Sequence, residues 1–481
     1  MEAGLPDNTR ITAQSGPRPG IGIVHLGLGA FFRAHGAIYI AEAMRASGGD
    51  WGIVGVSLQS TTQRDALEPQ GFAYTAVEQG PDGETARIID VVQNVLVARE
   101  NPGAVLEQMA QPNVRIVSLT VTEKGYCHEP STGRLNRAHP DIVHDLENEL
   151  PVSAPGFLVR GLQRRRAAGL KPFTVMTCDN LPENGRVVRA VVLELAGLID
   201  PDLAAWIELE GRFPSTMVDR IVPATKTEDI ARLEQKSGRH DASPVMHEPF
   251  RQWVVEDTFV DGQRPDLGAV GVQLVGDVTP FEHMKLRMLN GTHSSLAYLG
   301  YLAGYETISE TVADPDFARF VERLWREEII PALTPPPGED LGDYADALMA
   351  RYRNPAIRHR TWQIAMDGSQ KLPQRILGTL GDNLTAGRAS PGLMLAVAAW
   401  MRYVGGIDEK GQPIEVKDPM SARLRALSDS AEGSAKVAAL LGLREIFPAA
   451  LADQLAAPLT AAYEKLTRLG AQAAVMDLLG R

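Results

Sequence analysis

Ile21-Gly22-Ile23-Val24-His25-Leu26-Gly27-Leu28-Gly29-Ala30-Phe31-Phe32-Arg33 is the stretch on which the fold turns. Its first six residues are a short apolar, β-branched run, the composition of a buried strand. Gly27 and Gly29 then make a tight turn. Beyond it Ala34, Ala37, Ile38, Ala41 and Met44 recur at helical spacing, which predicts a helix ended by Ser47-Gly48-Gly49-Asp50. Residues 51–58 read as a second buried strand. Strand, glycine turn, helix and strand make the local architecture of a dinucleotide site. The glycines let a pyrophosphate approach the backbone, and the helix start offers it free N–H groups and the positive end of the dipole. Gly27, Leu28, Gly29, Ala30, Phe31, Phe32 and Arg33 are therefore the candidate cofactor-binding residues. The motif is incomplete, because Phe32 stands in place of a third glycine; an ordinary tight turn in an α/β domain is the alternative. His25 reads as a packed strand residue rather than a ligand.

Further out, the end of the second strand offers Ser57, Gln59 and Ser60 where an acid for the adenosine ribose is usual, with Arg64 and Asp65 beyond. The residues alone leave NAD and NADP both open. Residues 86–92, 115–122 and 172–177 read as more strands, and 157–168 as an amphipathic helix with Arg164-Arg165-Arg166 on a solvated face. The strand at 172–177 runs into Cys178-Asp179-Asn180-Leu181-Pro182-Glu183. Ligands of open α/β sheets bind beyond the carboxyl ends of strands, so Asp179 and Asn180 are placed for chemistry. An Asx turn capping a helix from Glu183 onward explains them equally. Residues 216–223, 252–259 and 270–275 read as later strands. Past residue 278 the texture becomes helical, over 294–307, 315–332, 341–352, 391–403 and 458–479, and strand runs nearly vanish. The expected architecture is α/β: a Rossmann-like N-terminal domain over residues 1–277 and a mainly α-helical C-terminal domain over 278–481, with the stretch at 284–293 lining the seam.

That stretch, Met284-Lys285-Leu286-Arg287-Met288-Leu289-Asn290-Gly291-Thr292-His293, carries polar groups where a helix should be greasy. On an α-helix with Lys285 at zero, Leu296 falls at about 20°, Leu289 at about 40°, His293 at about 80°, Leu286 at about 100° and Asn290 at about 140°. A solvated face would gather charges without leucines, and a plain core face would exclude the lysine. A lysine in an apolar arc either snorkels to water or works with its pKa lowered by desolvation.

Composition bounds the rest. The chain has 48 basic and 60 acidic side chains, a net charge of −12, which argues against general nucleic-acid binding but leaves room for an anionic substrate in a local basic pocket. Cys127 and Cys178 lack metal-ligand neighbours at familiar spacings, so no metal is expected. The N-terminus is polar and proline-rich, and no apolar run approaches the ~20 residues that span a bilayer. A cytoplasmic protein with no membrane partner is expected.

Six stretches carry a resemblance: IVHLGLGAFFRAH (23–35), SLTVTEKGY (118–126), TCDNLPENG (177–185), MVDRIVPAT (217–225), EPFRQWVVED (248–257) and MKLRMLNGTH (284–293). Together they resemble the mannitol dehydrogenase family, the polyol-specific long-chain dehydrogenases, over essentially the whole chain. The resemblance implies zinc-independent interconversion of a secondary alcohol and a ketone with NAD, or else NADP, as cofactor. It also implies the roles: Lys285 as general acid/base, Asn180 and Asn290 as the oxyanion hole, His293 holding a substrate hydroxyl, Asp219 near the site and Glu282 relaying the proton. Alcohol oxidation needs a neutral amine, and burial beside a nicotinamide cation moves a lysine that way. Carboxamide N–H groups can hold an alkoxide without losing a proton to it. None of the ten tyrosines is followed by lysine in the Tyr-x-x-x-Lys spacing of short-chain enzymes, and the Cys/His ligands of medium-chain zinc enzymes are absent.

Within the family, HRTWQIAMDGSQKLPQR (359–375) has Gln363 where mannitol-type members carry an arginine, and it keeps Lys371. The run is similar to members that reduce a keto sugar acid, D-fructuronate, to D-mannonate. Lys371, His359, Arg360 and Arg375 are then candidate cations for the sugar carboxylate, with an arginine-rich helix surface as the alternative. Oxidation of a neutral polyol such as mannitol or arabinitol, or a tagaturonate-type reaction, is the second reading. A nucleotide-sensing protein without turnover is the third. The expected partner is a small sugar acid or polyol, and the resemblance implies a monomer.

Overall fold

The glycine turn lies where a parallel sheet reverses its strand order. The computed structural model describes residues 10–13, 16–129 and 132–481, in two compact units, Met1–Thr279 and Pro280–Arg481. In chain order the strands are β1 (Ile21–Leu26), β2 (Gly52–Ser57), β3 (Tyr74–Gly80), β4 (Gly83–Ile89), β5 (Val92–Val97), β6 (Ile116–Leu119), β7 (Thr174–Thr177), β8 (Thr216–Asp219), β9 (Val245–His247), β10 (Gln252–Glu256) and β11 (Gln273–Val275). One sheet runs β5-β2-β1-β6-β7, with every pair parallel. Counted along its own strands this is the 3-2-1-4-5 order of a Rossmann fold, and the reversal falls between β1 and β6. Both strands are nearly continuous buried runs, as a parallel sheet covered on two faces requires. Val24, Leu26, Val117 and Leu119 face a core that includes helices Ala154–Ala167 and Asn184–Ile199. Their neighbours Ile23 and Ile116 face the opposite core with helix Gly36–Ser47.

Several expectations shift. The helix after the glycine turn is two pieces, Ala30–Ala34 and Gly36–Ser47, broken at His35 (φ −128, ψ −85). The break is held tertiarily: His35 Nε2 lies 2.9 Å from the Gln252 carbonyl oxygen. The segment expected as one strand at 86–92 straddles β4 and β5. β3 and β4 form an antiparallel hairpin whose turn signal, Pro81-Asp82-Gly83, stands in the sequence. Arg165, expected in a solvated triplet, is buried; its guanidinium donates to the carbonyls of Lys171 and Gln111, each at 2.7 Å. Those bonds offset the cost of burying the charge.

The second unit is helical, as expected, with Leu341–Tyr352 and Pro391–Tyr403 falling on the anticipated residues. The last long helix starts at Ala449 and takes Pro458 inside it, and Gly470 (φ 80) separates it from Ala471–Leu478. Three turns in this unit are π-helical, closed by i→i+5 bonds: Lys285–Asn290, Leu324–Ile329 and Pro373–Leu377. The first packs against both of the others. No helix among the described residues is long and apolar enough to cross a membrane.

Buried polar groups of the first unit set an acid limit on its stability. Burial pushes His25 and His247 down to about 3, so both stay neutral in the folded chain at pH values where the unfolded chain protonates them. The unfolded state then binds more protons, and stability rises with pH. The expected result is a urea midpoint that is level between about pH 6.5 and 8 and falls as pH drops below that range toward 3; a midpoint flat across the acid window would contradict the assignment. Both cysteines are free and buried, and burial pushes the Cys127 thiol up to about 12 and the Cys178 thiol far above its ordinary range.

Candidate active site

In the first unit Gly27 leaves β1 at φ +87, and a Cβ there would lie 2.1 Å from the carbonyl oxygen of Thr120, just past β6. Only glycine permits both the conformation and the approach. At Gly29 the backbone is extended, and an added Cβ would meet only the Gly27 carbonyl, at 3.8 Å. The space over Gly29, at the start of helix Ala30–Ala34, is open to a bulky group, so the turn fits a dinucleotide phosphate. The side chains here are spent on the interior. Leu28 packs on Gly55. Phe32 stacks on His25 with centroids 3.4 Å apart, and Phe31 on His35 at 5.1 Å. Arg33 is buried, donates to the Ser243 carbonyl at 2.5 Å and lies over the Tyr74 ring. What Leu28, Phe32 and Arg33 can offer a cofactor is main chain, not charge. His25 sits between Ser118 Oγ (2.8 Å) and Thr120 Oγ1 (2.9 Å), a packed residue. Arg64, the arginine that the sequence places nearest a ribose 2′-position, pairs with Asp65 and Glu100.

Asp179 does not cap the following helix. That helix, Asn184–Ile199, begins after Glu183 (φ 49) with no side-chain cap. The Asp179 carboxylate instead accepts the N–H groups of Val121 and Thr122, each at 2.9 Å, and the Tyr126 hydroxyl at 2.6 Å. It ties the exit of β7 to the exit of β6. Burial raises its pKa against those three donors. Thr122 there has φ 66 and ψ 163, a region that glycine alone enters freely and that clusters at functional sites. Two adjacent amides on one carboxylate hold the strained residue in place. Asn180 follows, exposed. Asp219 closes β8, buried, in register with Gln252 of β10.

In the second unit Lys285, Asn290, His293 and Glu282 are all buried, between 5% and 8% exposed. The α-helical wheel drawn for them needs correction, because Lys285–Asn290 is a π-turn. Its five-residue repeat brings position 290 back over 285 more closely than the roughly 140° of an α-helix. Asn290 Nδ2 is buried with no hydrogen-bond partner among the described residues. An unmet buried donor costs about 1–3 kcal/mol, so its retention wants a reason. A Cβ on Gly291 would lie 2.6 Å from the Arg375 carbonyl oxygen; glycine here lets the π-turn at Pro373–Leu377 come close.

Around His293 stand Tyr352, stacked at 4.6 Å, and His359, edge-on at 5.1 Å. Burial, then His359, Arg351 and Arg375, holds the His293 pKa well below its usual value. Burial, then Lys371, Arg375 and Arg351, pushes His359 down to about 4. The expectation of His359 as a cation is thereby corrected: it is a neutral imidazole at neutral pH. Arg360 is a surface residue pairing with Glu306 at 3.5 Å. Lys371 Nζ donates to the Met366 carbonyl at 2.6 Å, and Arg375 Nη1 to Ser294 Oγ at 3.2 Å. Gln363 is exposed. The buried Arg351 is not legible in the sequence, since nothing in the periodicity of helix Leu341–Tyr352 marks it. Cys127, His139 and Asp141 in the first unit offer ligand atoms within 4.8 Å of one another. His139 Nδ1 there accepts the Asp141 N–H at 3.3 Å and caps a helix.

Comparison with known proteins gives the same picture along the chain. Residues 21–269 match the mannitol dehydrogenase Rossmann domain, and residues 277–467 the mannitol dehydrogenase C-terminal domain. The sequence is 49% identical over 464 residues to a D-mannonate oxidoreductase of Escherichia coli (strain K12), covering 95% of each chain. It is 42% identical over 445 residues to a mannitol 2-dehydrogenase of Aspergillus fumigatus, covering 91% of this chain and 88% of the relative. Among solved structures, the ternary complex of Pseudomonas fluorescens mannitol 2-dehydrogenase with NAD and D-mannitol superposes with a TM-score of 0.87 at 38% identity, over 98% of this chain and 97% of that one.

Proposed function

The chain belongs to the mannitol dehydrogenase family of oxidoreductases acting on CH–OH groups, and from that premise we propose that it reduces D-fructuronate to D-mannonate with NADH. The observation that carries the sugar-acid reading is the charge around His293. Arg351, Lys371 and Arg375 all act on a pair of histidines that are themselves neutral. Three cations gathered beside two neutral imidazoles make a basic pocket that suits a substrate carrying a carboxylate. The commitment of Arg64 to Asp65 and Glu100 supports NAD over a 2′-phosphorylated cofactor. The main chain of Gly27 to Arg33 would hold the pyrophosphate, and the bound dinucleotide would supply the hydride to the carbonyl carbon.

Lys285, as an ammonium, returns the proton to the carbonyl oxygen as that oxygen gains charge. Asn290 Nδ2, a buried donor without a partner among the described residues, gives its hydrogen bond to the same oxygen. His293, neutral, holds a substrate hydroxyl. On the family resemblance we assign Asn180 a second donor's role, Asp219 a supporting one, and Glu282 the relay of the lysine proton. We also assign the chain to the cytoplasm on its composition, and to the monomeric state on the family resemblance.

The likeness to a mannitol 2-dehydrogenase holding D-mannitol favours a second reading, in which the substrate is a neutral hexitol. A panel of D-fructuronate, D-fructose, D-tagaturonate and D-xylulose, each with NADH and NADPH, separates the two. The expected kcat/KM for D-fructuronate with NADH exceeds that for D-fructose by roughly 100-fold, the worth of a paired carboxylate at about 2–3 kcal/mol. Preference for D-fructose defeats the sugar-acid reading.

A further inference from the structure

We propose that Trp325 and Tyr352 are positioning residues that hold open the π-turn carrying Lys285 and Asn290, and that Tyr352 also fixes the plane of His293. The proposal rests on the reading of Lys285 as the acid–base group.

A π-turn is a rare departure from the α-helix, so something outside the turn must favour it. Two of its carbonyls take donors from side chains. The Met288 oxygen accepts the Trp325 indole N–H at 3.0 Å and the Thr292 hydroxyl at 2.5 Å. The next oxygen, of Leu289, accepts the Tyr352 hydroxyl at 2.9 Å. A side chain that draws a helix carbonyl toward itself weakens the regular ladder and opens the turn. Tyr352 Oη and Thr292 Oγ1 are also 2.7 Å apart. Thr292 Oγ1 also lies 3.3 Å from the Leu289 oxygen; each hydroxyl has one proton, so four oxygen contacts share two protons and the tyrosine oxygen is gripped from two sides.

The rings extend the same arrangement. Trp325 stacks on Tyr352 (5.8 Å, 30°), and Tyr352 on His293 (4.6 Å, 29°). All three are buried, and Trp325 itself lies in the π-turn Leu324–Ile329 that packs against Lys285–Asn290. One face of Tyr352 therefore sets His293 while its hydroxyl sets the carbonyl just before Asn290. Phenylalanines would fill most of this volume, but they would leave both carbonyls without their outside donors.

The test compares wild type with Tyr352→Phe and Trp325→Phe, which keep the stack and remove one donor each. Two properties are read: kcat and KM across pH with D-fructuronate and NADH, and the pH midpoint of Lys285 acetylation by trace acetic anhydride in the substrate-free enzyme. For Tyr352→Phe the expected kcat falls roughly 10-fold with KM nearly unchanged, since a misplacement of about 1 Å can cost about 100-fold. The Lys285 labelling midpoint is expected to move by about half a unit or more, as the lysine's surroundings change. Combining Tyr352→Phe with Lys285→Ala should bring no further loss of rate. Unchanged kcat and an unchanged labelling midpoint in a folded variant overturn the proposal, whatever happens to Tm. If Tyr352→Phe does not fold, Trp325→Phe carries the same two expectations, and unchanged values there overturn the proposal equally. Should the wild type not turn over D-fructuronate, or should Lys285→Ala keep its rate, the functional reading fails instead, and the substrate-free labelling midpoint still decides whether the two aromatic residues set the lysine.

Discussion

Lys285→Ala lowers kcat by roughly 100- to 10,000-fold, the span of general acid–base catalysis, and leaves the Kd for NADH within about twofold. The lysine is only 7% exposed on a widened helical turn, so its amine works where water cannot easily replace it as a proton donor. Reduction needs the ammonium form; oxidation of the same alcohol needs the free amine. In wild type, reduction therefore fades and oxidation grows as pH rises through the lysine's titration, and in the alanine variant both dependences disappear. Steady-state rates in each direction and a fluorescence titration with NADH measure these effects. A mild loss of rate, or a lost cofactor affinity, takes Lys285 out of the acid–base role.

Asn290→Ala separates rate from stability. The expected kcat falls by roughly 100- to 1,000-fold, as when one oxyanion donor is removed. The thermal midpoint, in contrast, stays level or rises. Asn290 Nδ2 is buried without a partner among the described residues, and removing an unmet donor relieves about 1–3 kcal/mol, which offsets the small cavity left behind. Asn184 supplies the control. Its buried carboxamide donates to the carbonyls of Asp179 (3.0 Å) and Thr216 (2.8 Å) and accepts the Thr216 N–H (2.9 Å), so its truncation strips three bonds from the first unit. If Asn290→Ala loses as much stability as Asn184→Ala and keeps its rate, Asn290 is a structural residue.

What the chain discloses without its fold is local. The β1 run, the two glycines and the strand behind them sit close together along the chain, and each follows from composition and spacing. Lysine, asparagine and histidine among leucines stand out because an apolar arc should not hold them. The departures share a long-range cause. The π-turn at Lys285–Asn290 takes donors from Trp325 and Tyr352, up to 63 residues away, so no window of sequence contains its reason. Asp179 looks like a turn residue until Val121, 58 residues earlier, supplies the amide it accepts. Arg165 reads as surface because a triplet of arginines usually is, and only the carbonyls of Gln111 and Lys171 make its burial tolerable. His359 differs from its expected charge for a related reason: its protonation depends on burial and on Lys371, Arg375 and Arg351, which spacing cannot supply.

The two cysteines give the protein a chemical temperament of its own. Attack on peroxide and on alkylating reagents is carried by the thiolate, not the thiol. Both sulfurs are buried and held protonated far beyond physiological pH, and the chain has no others. Oxidants and alkylating reagents that silence enzymes with exposed, acidic thiols meet no exposed sulfhydryl here.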